Sequence, residues 1–258
     1  MMTPPVTLLI TPDRTRAAFR LFHPKGNIVT LEMIEALAQG LVALGGEPHL
    51  KLITIEGDGP DFSFGASIPE HAPGQIELVL PEAHRLTMAL LDAPAPTAAV
   101  VRGRCFGGGF ELALACDLIF AANTATFGLP EVSLGVFPPA AAALLPGRVG
   151  TARATVTILS GATVPAAAWL AAGLVTAVAR DAELTAAIDR WFDTHLAPKS
   201  ASALRFASRA ARAALRRELA VLLPELERLY LDELMRTRDA REGIAAFLEK
   251  REPRWTDQ

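Results

Sequence analysis

Three short apolar runs with strand character, Leu52–Glu56, Thr97–Val101 and Leu118–Ala122, alternate with helical patterns at Leu31–Leu44 and Gln75–Leu91. That alternation is the strongest constraint on the fold, because strands and helices taken in turn pack as the layers of an α/β domain. A hairpin is expected earlier, between Val6 and Phe22, and the first two of the three runs lead straight into glycine-bearing loops. The order predicts a layered or spiral α/β core. After Pro138 the character changes to alanine-rich helix, with stretches expected at Ala182–Leu196, Ser202–Leu215, Glu218–Met235 and Asp239–Lys250. The expected division is a core over residues 1–195, which carries the chemistry, and a helical region over residues 196–258.

At 258 residues, 51% hydrophobic and 21% charged, the chain is long enough to bury a large core and has the balance of a globular protein. Its formal charge of −3 offers no electrostatic footprint for a phosphate backbone or an anionic lipid surface, so neither nucleic acid nor membrane is an expected partner. Cys105 and Cys116 have neither CxxC spacing nor histidines placed as zinc ligands; small buried hydrophobes are expected, and no metal site. Met1–Pro12 holds one brief apolar stretch, Val6–Ile10, with no basic run before it, which is too short for a signal peptide. No apolar stretch approaches bilayer length. A soluble cytoplasmic protein is expected.

Two glycine-bearing loops are the candidates for chemistry. Phe62-Ser-Phe-Gly-Ala-Ser-Ile68 follows a predicted strand, and Gly65 lets the backbone turn sharply and expose consecutive N–H groups; a plain strand-closing turn would have the same composition. Gly103-Arg-Cys-Phe-Gly-Gly-Gly-Phe-Glu-Leu112 is more informative, since adjacent glycines open the expected helix from Phe110 to Cys116 directly after a strand. Such a run costs conformational entropy. A fold accepts that cost where a ligand must reach the main chain, or where helix and strand must pack closely. Glu111 falls in the first turn of that helix, and Glu131 follows Pro130 in Thr126-Phe-Gly-Leu-Pro-Glu-Val-Ser-Leu-Gly135, a loop between apolar segments. Each carboxylate alone fits a helix-dipole or solvated-turn role, whereas a pair beside two glycine loops points to acid–base chemistry. Dinucleotide, P-loop, zinc-protease and serine-hydrolase signatures are absent. Asp117 is expected to satisfy backbone donors.

In order and spacing these segments resemble the crotonase (enoyl-CoA hydratase/isomerase) superfamily, and specifically its hydratases: F-x-x-G-A-D-[IL], a glycine triplet followed by x-E-L-A-x-x-C-D, then F-G-x-P-E-x-x-x-G. The likeness extends from His23-Pro-Lys-Gly-Asn27 to Glu242-Gly243 and Phe247-Leu-Glu-Lys-Arg251. It implies a spiral of ββα turns with a C-terminal helical trimerisation region, assembled as a homotrimer or a dimer of trimers. It also implies an acyl-CoA substrate that carries its own coenzyme A, with no separate cofactor. The backbone N–H groups of Ala66 and Gly108 would form an oxyanion hole for the thioester oxygen, and Glu111 and Glu131 would exchange protons. Lys25, Phe64 and Ile68 would hold the coenzyme A. Adding water to a conjugated thioester builds an enolate, so donors fixed on its oxygen act mainly in the transition state. One carboxylate must take a proton while another delivers one; the sequence leaves open which is base and which is acid.

Ser67 stands where most relatives carry Asp, Phe64 is bulkier than the usual small residue, and Pro138-Pro-Ala-Ala-Ala-Ala-Leu-Leu-Pro146 replaces a glycine-rich segment, which stiffens that wall. In these places, and at Leu204-Arg-Phe-Ala207 and Leu229-Tyr-Leu-Asp-Glu-Leu234, the chain resembles the branch of the family that hydrates cyclic dienoyl-CoA thioesters in anaerobic aromatic degradation. That likeness implies 1,4-addition of water, turning cyclohexa-1,5-diene-1-carbonyl-CoA into 6-hydroxycyclohex-1-ene-1-carbonyl-CoA. Hydroxyl enters at the β-carbon and the proton at the far end of the diene. Phe64, Phe137 and Pro139 would then form an apolar wall for a flat ring, beside Ser67 and His71, although a packed core would use the same residues. Hydration or isomerisation of a linear 2-enoyl-CoA is the alternative reading. Another, of a different class, is a non-catalytic RNA-binding or scaffold homologue, motivated by Arg205, Arg209, Arg212 and Arg216 on one helical face; a solvated face paired with neighbouring acids explains the same spacing.

Overall fold

A computed structural model describes residues 3–258; the first two residues of the expected core and of the Met1–Pro12 segment lie outside the described residues. In chain order the strands are β1 (Val6–Ile10), β2 (Arg16–Leu21), β3 (Leu52–Gly57), β4 (Thr97–Val101), β5 (Arg104–Phe106), β6 (Leu118–Ala122), β7 (Thr126–Gly128), β8 (Val164–Pro165) and β9 (Ala177–Ala179). The helices are α1 (Leu31–Ala43), α2 (Ile76–Leu91), α3 (Gly108–Leu114), α4 (Pro139–Val149), α5 (Thr151–Ser160), α6 (Ala166–Ala171), α7 (Leu184–His195), α8 (Ala201–Arg228) and α9 (Arg238–Glu249).

The larger sheet runs β1-β2-β3-β4-β6-β9 and is parallel except for the β1/β2 hairpin at its edge. Its central strand β4 is buried at every position, which is why its sequence is an apolar run without alternation: a parallel strand covered on both faces has no solvent side. The smaller sheet, β5-β7-β8, is fed from the larger one. Ser63 bridges Cys105, and Cys105 pairs with Phe127, so successive passes of the chain stack one residue each in a second layer. Each pass contributes a strand to the large sheet, a short segment to the small one, and a helix. The result is an α/β spiral of ββα turns followed by a C-terminal helical region.

Caps fix three helix starts. Thr30, Ser200 and Thr237 accept hydrogen bonds from the third helical N–H of α1, α8 and α9 respectively. The expected hairpin, strands and early helices agree with the structure to within a residue or two at each end. Two differences matter. The stretches expected at Ser202–Leu215 and Glu218–Met235 are one continuous helix, α8, because no glycine or proline lies between them, and Pro224 sits inside the helix without ending it. Beyond Arg228 the chain widens into a π-helical turn, Leu229–Glu233. The loop expected around Glu131 is instead a 3₁₀ turn, Pro130–Leu134, closed by left-handed Gly135.

Candidate active site

Asn27 begins the construction of the site. It is buried with a φ of +53°, its Oδ1 accepts the His23 N–H at 3.1 Å, and its Nδ2 donates to the carbonyls of Asp58 and Asp61 at 2.9 Å each. The Ser63 hydroxyl donates to the Asn27 carbonyl at 2.7 Å and accepts the Gly65 N–H at 3.1 Å. These bonds lock the loop that carries Ala66. Val29 then donates its N–H to the Gly65 carbonyl and accepts the Ser67 N–H, which leaves the Ala66 N–H directed away from Val29.

The triple glycine brings the second loop against the first, and each glycine has a separate reason. Gly107 adopts φ 50° and ψ −129°, a region closed to side chains, and a Cβ there would lie 2.7 Å from Oε1 of Glu131. A Cβ on Gly108 would lie 3.1 Å from the Ala66 nitrogen, and one on Gly109 would strike Ser63 at 2.5 Å. Of the two explanations left open by the sequence, close packing of helix on loop is the one seen in the structure, and it brings the backbone of Gly108 against that of Ala66. The Gly108 N–H opens α3 and so has no carbonyl within the helix.

Both glutamates face one cavity of about 90 Å³ lined by Ala66, Gly108, Glu111, Glu131, His71 and Tyr230, among mainly apolar neighbours. Glu111, on α3, accepts the Ala141 N–H from the start of α4 at 2.9 Å. Burial raises its pKa against the lowering effect of the Ala140 and Ala141 amides. Glu131 is pushed up to about 8, first by burial and then by the charge of Glu111. Its Oε2 is enclosed without a hydrogen-bond partner. Two enclosed carboxyl groups that repel each other retain a proton between them near neutrality, so an acid and a base coexist on one wall.

The other expected residues divide. Phe137 and Pro139 line the cavity, as does His71, whose Nδ1–H donates to the Ser67 carbonyl at 2.9 Å. Burial holds that imidazole below its usual pKa and therefore neutral. Ser67 and Phe64 are not among the cavity-lining residues. The Phe64 ring is occupied on its own: Gly26 lies against it, and the Arg104 guanidinium stacks 4.0 Å from its centroid, held by a bidentate pair with Asp61. The expected wall thus loses Phe64. Lys25 is exposed, and Ile68 packs on the small apolar cluster that includes Tyr230 and Met235.

The arginine face is not a free basic stripe. Arg212 is 5% exposed; it pairs with Asp117 and donates to the carbonyls of Leu91, Ala93 and Ala95. Arg205 donates to the carbonyls of Pro94 and Glu47, and Arg216 pairs with Asp92. Asp117 also accepts the Thr97 N–H at 2.7 Å, the backbone role expected of it. Both cysteines are buried and free. Two contributors to the site escaped the sequence reading, the Ala141 amide and the Tyr230 side chain. The first belongs to no motif, and the second lies in Leu229–Leu234, a segment whose likeness to the cyclic-dienoyl branch assigned no role to any one of its side chains.

With this geometry in place, similarity to known proteins is specific. The chain matches the enoyl-CoA hydratase/isomerase family over residues 16–258 and belongs to that family of enzymes acting on acyl-CoA thioesters. It is similar to cyclohexa-1,5-dienecarbonyl-CoA hydratase of Thauera aromatica, 45% identical over 254 residues that cover 98% of each chain. It is also similar to 2,3-dehydroadipyl-CoA hydratase of Escherichia coli K12, 34% identical over 252 residues covering 95% of this chain and 93% of the other. Among solved structures, an enoyl-CoA hydratase from Mycobacterium avium subsp. paratuberculosis superposes with a TM-score of 0.86 at 32% identity, covering 98% of this chain and 99% of that one. The α/β spiral is the crotonase fold.

Proposed function

We propose that the chain hydrates a cyclic conjugated dienoyl-CoA, converting cyclohexa-1,5-diene-1-carbonyl-CoA to 6-hydroxycyclohex-1-ene-1-carbonyl-CoA. One observation carries the hydratase reading: two enclosed carboxyl groups and two adjacent backbone amides share the wall of a single cavity. The cyclic substrate is supported by the 45% likeness to the Thauera aromatica hydratase and by the Phe137 and Pro139 wall.

The thioester oxygen is held by the N–H groups of Ala66 and Gly108, each such donor being worth about 3–4 kcal/mol as negative charge develops on it. Glu111 is the base, because the Ala141 N–H favours its ionised form. Glu131 is the acid, since its value of about 8 keeps it protonated near neutrality. Glu111 takes a proton from water, whose oxygen bonds to the β-carbon; electrons pass into the dienolate, and Glu131 returns a proton at the far end of the diene. Conjugation with the thioester survives in the product. Lys25 and the main chain around Phe64 and Ile68 hold the coenzyme A.

The same reading includes assembly as a homotrimer or a dimer of trimers, a cytoplasmic setting in which coenzyme A thioesters are available, and a division into a core over 1–195 and a helical region over 196–258. The decisive experiment offers the purified protein the cyclic dienoyl-CoA and a linear 2-enoyl-CoA of similar carbon number. A kcat/KM at least about tenfold higher for the ring, or about 1.4 kcal/mol in transition-state binding, is expected. Equal or reversed preference removes the ring and leaves linear hydration.

A further inference from the structure

Tyr230 is the only tyrosine in the sequence, and the mechanism above makes no use of it. Its side chain is 2% exposed and stands edge-on to Phe137, with ring centroids 5.4 Å apart at 66°. The hydroxyl is enclosed without a hydrogen-bond partner, yet the residue lines the cavity of Glu111, Glu131, Ala66 and Gly108. An unpaired buried hydroxyl is costly, and a fold retains one where a ligand supplies the partner. The backbone agrees: the π-helical turn Leu229–Glu233, a widened turn often found at functional sites, turns Tyr230 inward while Leu229 stays exposed. Burial and the charges of both glutamates hold the phenol well above its ordinary pKa, so it remains a donor.

We infer that the Tyr230 hydroxyl donates a hydrogen bond to the reacting oxygen, the incoming water in hydration and the substrate hydroxyl in the reverse direction. This assignment rests on the hydratase reading of the cavity. Water has two lone pairs, one to attack carbon and one to accept from Tyr230. Its proton passes to Glu111, the carbon receives its proton from Glu131, and the tyrosine keeps its own, so atoms and charge balance. In the reverse direction the same donor stabilises the departing oxygen as the C–O bond breaks. An acyl group that carries no hydroxyl gains nothing from it.

Tyr230→Phe removes one oxygen and keeps the ring against Phe137. We expect kcat to fall roughly ten- to a hundredfold with KM within about threefold, and no loss of melting temperature. Affinity for the hydroxyacyl-CoA product should weaken about tenfold, while a saturated acyl-CoA without the hydroxyl binds as before. Unchanged kcat, or equal weakening toward both ligands, overturns the assignment. If the wild type hydrates neither the cyclic nor the linear thioester, the function and this assignment fail together; if it hydrates either and Tyr230→Phe matches it, only this assignment fails.

Discussion

A carboxyl group enclosed among apolar side chains resists ionisation, and Glu131 does so for two reasons, its burial and the charge of Glu111 beside it. Its folded value of about 8 stands above the ordinary 4.5, so between those values the folded protein binds more protons than the unfolded chain. That contribution to stability is present below the ordinary value and is lost as pH rises through the folded one. Glu131→Gln cannot ionise and escapes the loss. The variant should therefore melt at a higher temperature than the wild type at pH 9, by an amount reflecting a few kcal/mol, with the gap closing near pH 5. A gap that is constant across pH would show that Glu131 titrates normally. In activity, Glu131→Gln and Glu111→Gln should each lose orders of magnitude in kcat with the fold intact; near-normal turnover in either would remove that residue from the chemistry. At this scale the sequence was legible where backbone demands it. Gly107 must be glycine for its φ and for the carboxylate that occupies its missing side chain, and such constraints leave a motif.

Among the elements, α8 best separates pattern from packing. Its arginines are spaced along one helical face, which the sequence equally allowed to be a solvated or a nucleic-acid-binding surface. The structure instead divides that face: Arg209 and Arg216 stay exposed, Arg216 paired with Asp92, while Arg212 is buried and closes the ends of β4 and α2 through Asp117 and three carbonyls. Removing Arg212 leaves the Asp117 carboxylate without its cation, though still bonded to the Thr97 N–H, and takes from three carbonyl oxygens their guanidinium donor. Arg212→Ala should cost about 3–5 kcal/mol in denaturant unfolding, and a loss below about 1 kcal/mol would mean that water replaces the guanidinium freely. Helix α4 gives a similar lesson. Its proline-led start was legible as a stiff wall, but that its first amides bond Glu111 depends on where α3 lies, which no local pattern records.

The whole molecule leaves large apolar side chains exposed on its helices, among them Val156 and Leu159 on α5 and Phe206 and Val221 on α8. Burial of such side chains between copies of the chain would remove apolar area from water, which is in keeping with the proposed trimer. Light scattering should give three or six times the 27.4 kDa chain mass; a single-chain mass at micromolar concentration would remove the proposal. What the sequence determined by itself was the principal strands and helices and the position of the two glycine loops, because strand runs, helix periodicity and glycine turns are short-range properties of neighbouring residues; the short strands β5, β7, β8 and β9 carry too few residues to leave such a pattern. It also marked both glutamates through the motifs that hold them. Only the tertiary structure decided which side chains share the cavity: it admitted Tyr230 from the far end of the chain, withheld Phe64 by stacking it between Gly26 and Arg104, and buried an arginine that reads as a surface charge. Those outcomes follow from packing between segments distant in sequence, where no local preference fixes the neighbour.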